Sequence, residues 1–186
     1  MRPEDQSRFG PIRAALKDGR QVILRPLAVS DGEALGEFYE SVPREDFRFY
    51  CPYPLTREQA MLNAQAADGP FRVTVVAEEP QSRRIVGYAW YRWKDENSPK
   101  SGFGICIRRG YQEAGTGRAL MTRLLEIART IGPPVMGLTV QLANPRGVAL
   151  YRKMGFEVVA EQMRQPTAEF PTEPEYRMER RCRTDH

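Results

Sequence analysis

Gln112-Glu113-Ala114-Gly115-Thr116-Gly117 follows a β-like run at residues 103–108 and opens an amphipathic helix, an order of elements that makes an anion site. Glycines let the backbone turn with several N–H groups pointing one way. The first-turn donors of the helix, unsatisfied within it, add the positive end of its dipole. A phosphate or pyrophosphate is the expected guest. Two better-known glycine loops fit badly. Gly110 and Gly115 have the spacing of a nucleotide phosphate loop, but Thr116-Gly117 stands where Lys and Ser/Thr would bind phosphate and magnesium. A dinucleotide fingerprint wants a third glycine where Arg118 or Leu120 sits, and belongs in the first strand–helix unit. An ordinary glycine-containing strand-to-helix turn is the plain alternative.

Proton chemistry has few candidates. The single histidine is His186, which excludes histidine triads and most zinc sites unless the terminus folds back. Acid–base work then falls to Tyr, Asp, Glu, Cys or water. Cys51, Cys106 and Cys182 are far apart, odd in number and without metal-ligand spacing, which reads as free thiols in a reducing, cytoplasmic compartment with no metal site. Tyr151 combines a polar tip with a ring beside Leu150 and Phe156, so it reads either as a proton donor or as a packed amphipathic residue.

Around these groups the pattern is that of one α/β domain. Residues 22–24 make a short first strand. Ser30 with Glu33, and Thr56 with Gln59, read as capping boxes that open two helices, the first burying Leu35, Phe38 and Tyr39. Runs at 71–77 and 85–93 predict a hairpin, and Phe103, Ile105 and Ile107 alternate as a strand. Leu120, Leu124, Ile127 and Ile131 fall on one helical face; Gly132-Pro133-Pro134 stops that helix, and 135–140 supplies the next strand. Strand, helix and strand in this order imply a right-handed crossover and a parallel pair. The last strands are expected at 156–161 and 176–181.

The Q-x-x-G-x-G pattern of Gln112, Gly115 and Gly117 resembles the acyl-CoA pyrophosphate loop of the GNAT family of N-acetyltransferases. The segment Asn144-Pro145-Arg146-Gly147-Val148-Ala149-Leu150-Tyr151-Arg152-Lys153-Met154-Gly155-Phe156 is similar to that family's N-x-x-A-x-x-L-Y-x-K-x-G-F segment, with Gly147 and Val148 making the helix start less alanine-rich. The similarity covers residues 21–181. It implies a mixed, mostly antiparallel sheet with a central splayed parallel strand pair and about four helices. The expected domain is 20–181, between a flexible N-terminal extension at 1–19 and a tail at 182–186.

The resemblance also implies acetyl-CoA as co-substrate. Its pyrophosphate is expected on Gln112, Glu113, Ala114, Gly115, Thr116, Gly117 and Arg118, and its pantetheine arm along the strand edge at Ile105, Cys106 and Ile107. Gly102 and Gly104 either ease that approach or mark a bulge or tight sheet. Asn144 holds pantetheine or caps the following helix. Tyr151 resembles the family's general acid, which protonates the leaving thiolate in direct transfer; Cys106 is expected to be an inert small hydrophobe. No base is assigned, since Glu78, Glu79, Asp95 and Glu96 read equally as turn residues. The acceptor, a primary amine of a small molecule or a protein, is expected between the segments 42–55 and 162–175. Their aromatic and basic residues would receive a carboxylate or phosphate beside the amine, or else pin the loops to the core. A non-catalytic acyl-CoA-binding or sensing module is the alternative from a different class.

The chain of 186 residues is long enough for one well-buried core. No apolar run approaches the ~20 residues needed to span a bilayer, and the first ten residues lack the apolar core of a secretion signal. A net charge of +4, spread through the sequence, suits an anionic co-substrate. It offers no basic run interleaved with aromatics for nucleic acid. Neither nucleic acid nor membrane is an expected partner, and a homodimer is left open.

Overall fold

The computed structural model describes residues 1–50, 52–166 and 170–183. Cys51 and His186 lie outside the described residues, as does the tail from residue 184. An eight-stranded sheet runs in the order β1-β2-β3-β4-β5-β6-β8-β7. Its strands are β1 Ile12–Ala15, β2 Gln21–Pro26, β3 Arg72–Glu78, β4 Ile85–Arg92, β5 Lys100–Ile107, β6 Val135–Gln141, β7 Glu157–Met163 and β8 Pro174–Arg181. Every neighbouring pair is antiparallel except β5 with β6. That parallel pair touches only from Lys100–Val135 to Gly102–Gly137 and then parts.

Four helices of nine residues or more, α2 Gly32–Glu40, α3 Arg57–Gln65, α4 Thr116–Ala128 and α5 Pro145–Lys153, are joined by the short α1 Pro3–Arg8. β3 and β4 are buried on both faces, which explains their nearly continuous apolar runs. Val73, Val75, Ala89 and Tyr91 join Leu120, Leu124 and Ile127 of α4 in one core. Val76, Tyr88, Trp90 and Cys106 join Leu35, Phe38 and Tyr39 of α2 in the other. The period-two alternation of the strands thus feeds two cores.

Local signals were obeyed unevenly. Thr56 Oγ1 accepts the N–H of Gln59 at 3.1 Å, whereas the Gln59 amide turns to Asn63 instead of completing a box. The box expected from Ser30 and Glu33 does not form. Asp31 caps instead, accepting the Ala28 N–H at 2.8 Å while pairing with Arg25, and Glu33 pairs with Arg57.

Residues 1–19 are not a loose extension. β1 completes the edge of the sheet on β2, Phe9 and Leu16 are buried, and the Lys17 N–H donates to Ala114 C=O at 2.9 Å. A four-residue strand is too short to show periodicity, so pairing with β2 was needed to reveal it. Cys182 also stays attached beyond β8, its N–H donating to Pro134 C=O at 2.7 Å. Among the described residues no helix is long and apolar enough to cross a membrane, and no group of His, Cys, Asp and Glu side chains is arranged to hold a metal ion.

Candidate active site

β5 and β6 part beyond Gly102, so the far edge of β5 from Phe103 onward has no strand partner among the described residues. Unpaired N–H and C=O groups on such an edge accept an extended ligand as an added strand. Just past this edge comes the turn into α4. Gly115 there has φ +98°, a left-handed conformation that a side chain would strain. No backbone N–H from Gln112 to Arg118 donates a hydrogen bond to another described residue. The Thr116 hydroxyl is buried without a partner among the described residues. A row of unsatisfied donors at the start of a thirteen-residue helix fits a pyrophosphate.

Side chains of the turn play other parts. Gln112 donates from Nε2 to Ile107 C=O at 3.0 Å, bracing the end of β5. Glu113 pairs with Arg146 at 3.2 Å, and Arg118 is exposed. Asn144 is a cap: its Oδ1 accepts the Gly147 N–H at 2.9 Å. A Cβ on Gly147 would stand 2.8 Å from that amide, which accounts for glycine at this otherwise helical position.

A cleft of about 600 Å³ opens where the parallel strands part. Phe103, Ile105 and Tyr151 line it from the α4–α5 face, and Gly104, Trp90 and Tyr50 from the α2 face. Of the residues expected to meet the co-substrate or do chemistry, Ile105 and Tyr151 lie on this cleft; Cys106, Ile107, the 112–118 turn and Asn144 do not. Gly104 serves the tight sheet, since a Cβ there would stand 2.6 Å from the Trp90 indole, and it also lines the cleft. That indole donates to Tyr50 OH at 2.8 Å, and Tyr50, Tyr53 and Tyr88 continue a phenol chain at 3.1 and 2.9 Å.

Tyr151 packs edge-on against Phe103, ring centroids 6.0 Å apart, and beside Phe156 at 6.1 Å. Its hydroxyl makes no hydrogen bond to a described residue. Burial holds the phenol well above its usual range, so it carries its proton throughout neutral pH. Cys106 faces the other core, where burial pushes its thiol up to about 12. A thiol so protonated is a poor nucleophile. Incubation with acetyl-CoA and no acceptor, followed by intact-protein mass spectrometry, will therefore show no acetyl adduct on Cys106; a stoichiometric adduct would replace direct transfer with a ping-pong route.

Three of the four carboxylates near the strand ends are occupied elsewhere, and Glu96 is exposed and off the cleft. Glu78 pairs with Arg25 and Arg83. Glu79 takes Ser82, Tyr111 OH and Arg84, and these hydrogen bonds hold its carboxyl down at about 2. Asp95 accepts from Asn97 and Ser98 in its own turn.

Both segments expected to bound the acceptor do line the cleft: Phe49, Tyr50 and Pro52 from one, and Gln162, Met163, Arg164, Gln165 and Glu175 from the other. Phe47 packs on the core, as its plainer reading had it. The arginines do not wait for an anionic acceptor. Arg48 and Arg164 both pair with Glu173, at 2.7 and 2.8 Å, and Arg164 also donates to Arg48 C=O and Pro171 C=O, each at 3.0 Å. They tie the two segments together, through residues 125 positions apart in the chain. Glu175, buried on the cleft wall, carried no local signal in the sequence.

The model of the Acetyltransferase (GNAT) family matches residues 34–156. The chain is 29% identical over 114 residues to an L-methionine sulfoximine/L-methionine sulfone acetyltransferase of Pseudomonas paraeruginosa, covering 58% of this chain and 62% of that protein. It is 30% identical over 107 residues to a mycothiol acetyltransferase of Jonesia denitrificans, covering 56% of this chain and 34% of that one. The chain thus matches less than two thirds of the length of these curated relatives. In fold it is similar to the GNAT domain of S. lividans PAT, with a TM-score of 0.73 at 20% identity over 94% of this chain and 98% of that one. It is similar also to yncA of Salmonella typhimurium, solved with acetyl-CoA, with a TM-score of 0.74 at 19% identity over 89% and 95%.

Proposed function

The chain belongs to the GNAT acetyltransferase family, and from that premise we propose that it transfers acetyl from acetyl-CoA directly to a primary amine. The observation that carries the reading is a cleft at the parting of β5 and β6 that holds a buried, protonated Tyr151 next to an open strand edge and an unsatisfied donor turn. The relatives that the sequence matches are acetyltransferases by name.

Acetyl-CoA, when bound, supplies a thioester carbonyl open to attack. The N–H groups from Gln112 to Arg118 hold its pyrophosphate, and the free edge of β5 at Ile105, Cys106 and Ile107 positions the pantetheine arm through the backbone. The acceptor nitrogen forms the new C–N bond as the C–S bond breaks. Tyr151 gives its phenolic proton to the departing sulfur, and the proton lost by the nitrogen restores the phenol through solvent. No covalent bond to the chain is needed.

The test is a panel of amines and peptides assayed for CoA release, alongside direct titration of acetyl-CoA. Binding with turnover on at least one acceptor is expected. Binding with no turnover on any acceptor would favour a sensing module instead.

A further inference from the structure

Glu175 stands at the start of β8, flanked across the sheet by Gln141 of β6 and Gln162 of β7. It is 4% exposed and lines the cleft. Its Oε1 accepts from Gln162 Nε2 at 2.9 Å. Its other oxygen has no partner among the described residues, and no cation there comes within ion-pairing distance of either oxygen. Glu173, two residues earlier, is by contrast paired with two arginines. A carboxylate oxygen left without a partner on the wall of a cleft is placed to meet a cation that arrives with a ligand.

The wall across the cleft gives the ligand its sign. Phe49, Tyr50 and Trp90 present aromatic surface, which attracts cations. Trp90 already has the Arg92 guanidinium over its ring at 4.4 Å. The one arginine on the cleft wall, Arg164, is engaged by Glu173 and two carbonyls. A carboxylate on the acceptor would meet Glu175, and among the described residues that line the cleft no other arginine or lysine stands ready to pair with it.

We infer that Glu175 and the facing aromatic wall form a subsite for the ammonium group of a cationic alkylamine, one without a carboxylate next to its nitrogen. This rests on the proposed function for the identity of the cleft as the acceptor's, but ammonium binding can be read without turnover. It assigns the acceptor class that the sequence left open: a free alkylamine or a lysine side chain ahead of an α-amino acid.

The test is calorimetric titration of n-pentylamine, 1,5-diaminopentane and L-norleucine into the full chain saturated with CoA. Norleucine is n-pentylamine with a carboxylate on the amine-bearing carbon, so the pair isolates that group. The two alkylamines should bind at least about ten-fold more tightly than norleucine, and Glu175→Gln should weaken them by about ten-fold or more while leaving acetyl-CoA affinity unchanged. The same variant should melt no lower than the parent, because it keeps the bond to Gln162 and breaks no ion pair. Equal binding of norleucine, absence of alkylamine binding, unchanged amine affinity in Glu175→Gln, or a lowered melting temperature would each overturn the inference. A chain that fails to bind acetyl-CoA but still binds amines through Glu175 would sink the acetyltransferase reading and leave this one standing.

Discussion

Tyr151→Phe will lower kcat by roughly 10²–10⁴-fold with little change in acetyl-CoA affinity. Phenylalanine keeps the edge-on contact with Phe103 and the packing on Phe156, and the lost hydroxyl has no hydrogen-bond partner among the described residues to orphan. Packing and binding are therefore preserved, and only a proton donor is removed. The sign of its pKa shift matters here. A phenol raised by burial stays protonated as pH climbs through the neutral range, so no basic limb of the wild-type pH–rate profile below about pH 10 should trace to it. Steady-state kinetics with acetyl-CoA titration checks the claim. Near-normal kcat in Tyr151→Phe, with pre-steady-state chemistry equally fast, would make the phenol structural.

Gly117→Val will weaken acetyl-CoA by on the order of 1–3 kcal/mol, about 5- to 150-fold in affinity. A Cβ on Gly117 alone would stand 3.2 Å from Leu150 Cδ2 and 3.9 Å from Ile105 Cδ1. The two γ-methyls of valine then crowd the side chains of Leu150, Ile105 and Ile107, between α5 and the turn proposed to hold the pyrophosphate. Gln112→Ala should do less, because its side chain braces Ile107 C=O and the turn's donors are backbone. Calorimetry on both variants, with melting temperatures as a control, decides it. Full affinity in a folded Gly117→Val would remove the turn from the site.

Several elements were legible because their signals are local. Gly115 was readable as the turn's pivot, since only glycine sits comfortably at φ +98°. Asn144 before Pro145 announced a cap as well as a pantetheine contact, and its amide is engaged in the cap. Leu120, Leu124 and Ile127 marked their helix by spacing, and all three are fully buried. Gly104 was ambiguous, because its reason is the Trp90 indole fourteen positions earlier, brought alongside by the β4–β5 register. The engagement of Arg48 and Arg164 with Glu173 was not legible for the same kind of reason: a sequence shows charge but not which carboxylate the fold will set against it.

The sequence by itself determined the α/β class and the family, and it singled out the glycine turn and Tyr151 as candidates, since each depends on side-chain type and short-range spacing, which backbone sterics and helix geometry translate directly. Only the tertiary structure decided that residues 12–15 join the sheet, that the arginines beside the cleft are engaged, and that Glu175 stands on its wall. These depend on strand order: β8 is inserted between β6 and β7, and that placement sets Glu175 between Gln141 and Gln162. No local pattern encodes it, because strand order follows from how whole faces bury one another, and the electrostatic surroundings of a buried charge exist only once those faces have met.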